Sequence, residues 1–154
     1  MKFKNKKMLY SLLLIGFALL SYIIWMSVRP VEIVAVHVDG SHSSVLVKNF
    51  PYSDKGKINW WIKNKEIIKE KYNIPSPEKD GDFTIIFWLF GDGYKQEEKY
   101  DRRCFGDMKP PENCIDKNRI FSVDKSRNMG ISFTTDSEIY QLKGNGEVVK
   151  VKLE

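Results

Sequence analysis

Two histidines and an aspartate, His37, Asp39 and His42, lie within six residues and are the most compact set of metal-ligating side chains in the sequence. On a strand running into a turn, H-x-D-x-x-H offers two imidazole nitrogens and a carboxylate to a borderline-soft ion. No fourth ligand stands near them in sequence, and both histidines read equally well as polar turn residues. This thin set supports an alternative function, a small-ligand or metal-binding sensor or enzyme built on the His37-Asp39-His42 corner.

Cys104 and Cys114 are the chain's two cysteines, separated by FGDMKPPEN. In an oxidising compartment their expected state is a disulfide closing a short loop, worth about 2.5 to 3 kcal/mol by the chain-entropy argument. A redox-active pair would want C-x-x-C in a thioredoxin-like setting, and neither is present. Glu97, Glu98 and Asp101 could pair as acid and base, but Lys95, Lys99, Arg102 and Arg103 alternate with them, so the run reads as solvated edge charge. Asp80-Gly81-Asp82 and Gly91-Asp92-Gly93 bracket an apolar segment at opposite ends, about 25 Å apart if it is a strand, and read as turns. The sequence holds no G-x-S-x-G, no H-E-x-x-H and no phosphate-cradling glycine loop. The expectation is a non-enzymatic protein without a cofactor.

Trp60 and Trp61 raise a different possibility. Neighbours on a helix point about 100° apart, so one core face holds both only with difficulty. Ile58, Trp61, Ile62, Ile68 and Tyr72 form one stripe; Trp60 and Ile67, seven residues apart, fall outside it and stand as a candidate interaction surface. The competing reading is that a loop, SHSS or SPEKDGD, covers Trp60.

The elements that position these residues follow from pattern. Val31 to Val38 and Val45 to Phe50 read as strands around a polar turn. Ser53 or Asp54 caps a helix ending near Tyr72, with Lys69 and Lys71 in its last turn. FTIIFWLF, Phe83 to Phe90, is too short to cross a membrane and predicts a central strand buried on both faces, while the charged KQEEKYDRR fits a strand only at an exposed edge. Further strands are expected at Ile120 to Val123 and Ile131 to Thr135, with a hairpin of Glu138 to Leu142 and Glu147 to Leu153 across Gly144-Asn145-Gly146. The fold class is α+β: one amphipathic helix packed on a small antiparallel sheet.

Ahead of this domain, residues 8 to 28 form an uncharged, apolar run of 21 residues, long enough for one bilayer crossing. Gly16-Phe17-Ala18 offers a small-x-small cleavage pattern, but cleavage there would leave LLSYIIWMSV at the new N-terminus, too apolar for water. Gly16, Ala18 and Ser21 could admit a second helix, though small residues are common in single anchors. An uncleaved anchor is expected, with residues 1 to 7 as a basic cytoplasmic tail and 31 to 154 as a periplasmic domain held close to the bilayer. Lys2, Lys4, Lys6 and Lys7 precede the span and only Arg29 immediately follows it, which keeps the N-terminus inside. These five account for the net charge of +5: of 25 basic residues 20 remain, against 20 acidic ones, all after Arg29. No basic surplus is left to meet nucleic acid.

The strings KNKKMLYSLLLIGFALL, RPVEIVAVH, VLVKNFPYSDKGKINWWIKNK, KYNIP, FTIIFWLFGDGY and KYDRRCF followed by ENCIDK cover most of residues 1 to 123. In them the chain resembles a family of small enterobacterial membrane proteins known as a domain of unknown function, number nine hundred and forty-three in its series. The resemblance implies an inner-membrane protein with one N-terminal span, and it brings no catalytic residues to carry over. The function expected is that of a periplasmic interaction domain for an unidentified envelope protein, as an immunity protein against a toxin or an accessory subunit of an envelope complex. A third reading has exposed aromatics touching lipid headgroups. The sequence leaves the oligomeric state open.

Overall fold

The structure is a computed structural model and describes residues 5–99 and 101–152. Lys2 and Lys4 of the basic tail, Tyr100 in the charged run and Leu153 in the last expected strand lie outside the described residues. The chain divides into two compact units at the Pro30/Val31 junction.

The first unit is α1, Lys6–Ser27, a helix of 22 residues with none buried. At ~1.5 Å per residue it is ~33 Å long, and it is long and apolar enough to cross a membrane. Its serines are satisfied within the helix: Ser11 donates to the Lys7 carbonyl at 2.9 Å and Ser27 to that of Ile23 at 2.8 Å. It ends just before Arg29-Pro30, where the proline ring disfavours helical backbone in the preceding residue, and the Arg29 guanidinium lies 4.1 Å over the Trp25 ring.

Among the described residues, the second unit holds nine strands and one helix. β1 (Glu32–Asp39) and β2 (His42–Lys48) form a hairpin turning at Gly40, whose φ of +60° is one that glycine adopts without strain. α2 (Asp54–Tyr72) follows. Ser53 caps it by accepting from the Gly56 amide at 3.0 Å, and Asn73 closes it in the left-handed conformation at φ 55°. After α2 come β3 (Phe83–Leu89), β4 (Arg102–Cys104), β5 (Cys114–Asp116), β6 (Arg119–Ser126), β7 (Gly130–Thr134), β8 (Ile139–Leu142) and β9 (Val148–Lys150).

Seven strands make one sheet in the order β1-β2-β3-β6-β7-β8-β9. Every neighbouring pair is antiparallel except β2 and β3, which run parallel because α2 carries the chain back to the end where β2 began. This parallel pair refines the antiparallel sheet expected, within the same α+β class. The turn at Gly144 to Gly146 joins β8 to β9 as the pattern predicts, with Gly146 at φ 87° and Asn145 accepting from the Glu147 amide.

β3 is central, as its apolar run predicts, and its two faces serve two cores. Ile85 and Phe87 join Val45, Val47, Phe121, Val123 and Phe133 under Ile58, Trp61 and Ile68 of α2. On the opposite face, Ile86 and Trp88 join Leu46 under Phe105 and Ile115. That second cover is a lobe built on β4 and β5, a separate two-stranded sheet. The charged run therefore does not add an edge strand to the main sheet: Lys95 makes one isolated bridge to Cys114, and only its tail enters β4.

Candidate functional site

His37 is the side chain with the most polar contacts among the three proposed as metal ligands, and its contacts take it away from them. Nδ1 lies 2.9 and 2.8 Å from the two Asp107 carboxylate oxygens, and Nε2 is 2.9 Å from the Tyr94 hydroxyl. A carboxylate only accepts, so the Nδ1–H donates to Asp107, while the Tyr94 hydroxyl completes the ring's contacts at Nε2. The ring also stacks on Phe105 at 3.9 Å and 12°, and the side chain is 10% exposed. Burial, then the Asp107 charge, pushes the Tyr94 pKa above its ordinary value.

Asp39 and His42 are register partners at the end of the β1–β2 hairpin; His42 is exposed, with Nδ1 3.4 Å from the Ser41 hydroxyl. Among the described residues no group of three His, Cys, Asp or Glu side chains is placed to hold a metal ion. This corrects the reading of His37, Asp39 and His42 as a ligand set. Both nitrogens of His37 are committed to pinning the β4–β5 lobe to the sheet.

The lobe is closed covalently as well. Cys104 and Cys114 are register partners in β4 and β5, with their sulfurs at the disulfide distance of 2.05 Å. Around them Asp116 accepts from Lys95 at 2.6 Å and Arg102 at 3.1 Å. The hydrogen bond with Asp116 raises the Lys95 pKa, and those from Lys95 and then Arg102 hold Asp116 below the carboxylate range. These charges tie the segment around Lys95 to β4 and β5.

On the helix side, the structure corrects the division of α2. Trp60 is half-buried and joins the core, its ring edge-on to Phe50 at 5.1 Å and to Phe87 at 5.8 Å. Neither SHSS nor SPEKDGD supplies these contacts; β3 and the residue after Asn49 do. Ile67 is 61% exposed, so of the two it is Ile67 that stands clear of the core. Ile62, placed in the core stripe by spacing, is instead 39% exposed.

The residue that completes the stripe is Lys57, four residues before Trp61 and only 3% exposed. Its ammonium donates to the Ile120 carbonyl and to Asp136, each at 3.0 Å. Beside it Asp54 accepts from Tyr140 at 2.8 Å and Ser137 at 3.1 Å. Burial pushes the Asp54 pKa up, but the hydrogen bonds from Tyr140, Thr135 and Ser137, with the Lys57 charge, outweigh it and hold the carboxyl below its ordinary value. Asp54 in turn raises the Tyr140 pKa through their hydrogen bond. The arrangement ties the start of α2 to β6 and to the β7–β8 turn.

α2 packs on the sheet through Ile58, Trp61 and Ile68, while Ile131 of β7 and Leu142 of β8 stay only partly buried. The result is an apolar groove of about 260 Å³ between helix and sheet. Phe83, Ile131, Phe133 and Leu142 form its sheet wall, and Ile62 stands on the helix wall with Trp61. The polar groups lining it, Lys65, Glu66 and Lys69, all come from α2. This groove is a candidate interaction site, and by helical spacing it flanks α2 on the side away from Trp60.

A model of the family described as "Enterobacterial putative membrane protein (DUF943)" matches residues 2–152. No curated protein and no solved structure matches the chain.

Proposed function

We propose, from the premise that this chain belongs to that family of enterobacterial membrane proteins, that it is a single-span inner-membrane protein presenting a non-enzymatic interaction domain to the periplasm. The basic residues ahead of α1 favour this orientation, and the Cys104–Cys114 pair suits an oxidising compartment. The observation that carries the interaction reading is the apolar groove beside α2, with an exposed isoleucine on its lip and charges confined to one wall. Such a surface binds by apolar insertion and orients its partner by charge. It serves equally an immunity protein or an accessory subunit of an envelope complex.

The test is a photo-crosslinking amino acid at position 62 of the full chain in living cells. The expected outcome is a discrete crosslinked protein that is not trapped from Lys79, a polar surface position. Equal trapping from both positions would remove the groove from consideration.

A further inference from the structure

We propose that the occupant of the groove is a second copy of this chain, docked through α2 about a two-fold axis near Lys65 and Glu66. The inference rests on the reading of the groove as the interaction site. Ile62, Lys65, Glu66 and Lys69 recur at i, i+3, i+4 and i+7, so they share one stripe of the helix, and all line the groove. Lys69 is committed, donating to the Pro75 carbonyl at 2.8 Å. Lys65 and Glu66 are not: neither has a hydrogen-bond or ion-pair partner among the described residues.

An occupant must therefore meet a cation and an anion side by side. A singly charged ligand satisfies one and repels the other. The same stripe running antiparallel presents both charges in reverse order, so Lys65 faces Glu66 of the partner subunit and its own Glu66 faces Lys65 of the partner subunit. This reciprocity is what an isologous interface requires. In that register Ile62 lies opposite Lys69 of the partner subunit, at the end of the groove where Lys69 holds the Pro75 carbonyl. The exposed isoleucine of each copy thus gains an apolar seat in the other.

A contact of this extent is small beside the ~1,200–2,000 Å² of a stable interface. A common membrane anchor compensates by raising the effective concentration of one copy around another. Pairing is accordingly a property of the membrane-bound chain.

The test uses two differently tagged full-length copies co-expressed in cells, each with the photo-crosslinker at position 62. The expected product carries both tags. Lys65→Glu alone and Glu66→Lys alone each turn two attractive pairs into repulsive ones and cut the yield about ten-fold. The double variant Lys65→Glu/Glu66→Lys restores the pairing and returns the yield to within about two-fold of the parent. A double variant that stays low overturns self-pairing. So does a crosslink to a different protein without any doubly tagged product, which would leave the groove reading intact. The absence of every product from position 62 would overturn both.

Discussion

Over one face of the sheet, α2 closes a continuous core from Phe50 and Trp61 through Phe87 to Phe121 and Phe133; over the other, Phe105 and Ile115 rest on Leu46 and Trp88. The first cover is held by apolar contact and by aromatic rings 5.1 to 6.1 Å apart around Phe87. The second is too small to hold itself by burial and adds a disulfide, the His37–Asp107 and His37–Tyr94 bonds, and the Asp116 ion pairs. A minor core of four buried side chains needs staples for the same reason that a very small domain does. The polar groups on the α2 side do different work, since Lys57 and Asp54 tie the start of the helix to β6 and to the β7–β8 turn.

The largest blow to this contrast is Phe87→Ala. Phe87 is fully buried and touches Phe50, Trp60, Trp61 and Phe121, so truncation should cost about 3 to 5 kcal/mol and lower the unfolding midpoint of the whole domain. Removing the staple, as Cys104→Ser/Cys114→Ser, should cost about 2.5 to 3 kcal/mol and act locally. Hydrogen exchange ought then to quicken in residues 102–116 while amides of α2 keep their protection. Equal loss in both regions would mean that the two covers are one cooperative unit.

His37→Phe separates stacking from hydrogen bonding within the lobe. The ring on Phe105 is kept, and the partners at Asp107 and Tyr94 are lost. Because the Tyr94 hydroxyl is left in a partly buried site, a loss of about 1 to 2 kcal/mol is expected, with faster exchange in the lobe alone. Full retention of stability would assign the clamp to ring stacking.

The parts of this molecule legible in its sequence are those fixed by neighbours in the chain. Ser53, Lys69 and Lys71 mark the ends of α2; the near-continuous apolar run FTIIFWLF marks a strand buried on both faces; Gly144-Asn145-Gly146 marks the last hairpin. The site depends on distant partners. Nothing near His37 announces Tyr94 or Asp107, which are 57 and 70 residues away, and a lysine on the apolar stripe reads as an interruption until Ile120 and Asp136 supply its acceptors. Trp60 misled because angular spacing treats side chains as equal in reach, whereas an indole on the flank of a helix still meets the core. The groove is the space left by one helix covering part of a seven-stranded sheet, and no single segment encodes it.

The smallest effect concerns the pH dependence of the helix-side anchor. Asp54 is held below its ordinary pKa of 3.8 by donors that exist only in the folded state, chiefly Tyr140. A depressed folded-state pKa gives stability that is complete above the unfolded value and fades as acid protonates the folded carboxylate. Asp54→Asn keeps the shape and an acceptor oxygen but no titratable group. The variant should therefore be slightly less stable at neutral pH, by under about 1 kcal/mol because solvent screens much of the interaction, and the gap should close on acidification below about pH 5. Denaturant melts of both proteins across that range read the difference directly. A gap that persists unchanged to low pH would show that the anchor works through shape and neutral hydrogen bonds, and the contrast between the two covers would then rest on the disulfide, the Asp116 ion pairs and the size of the core.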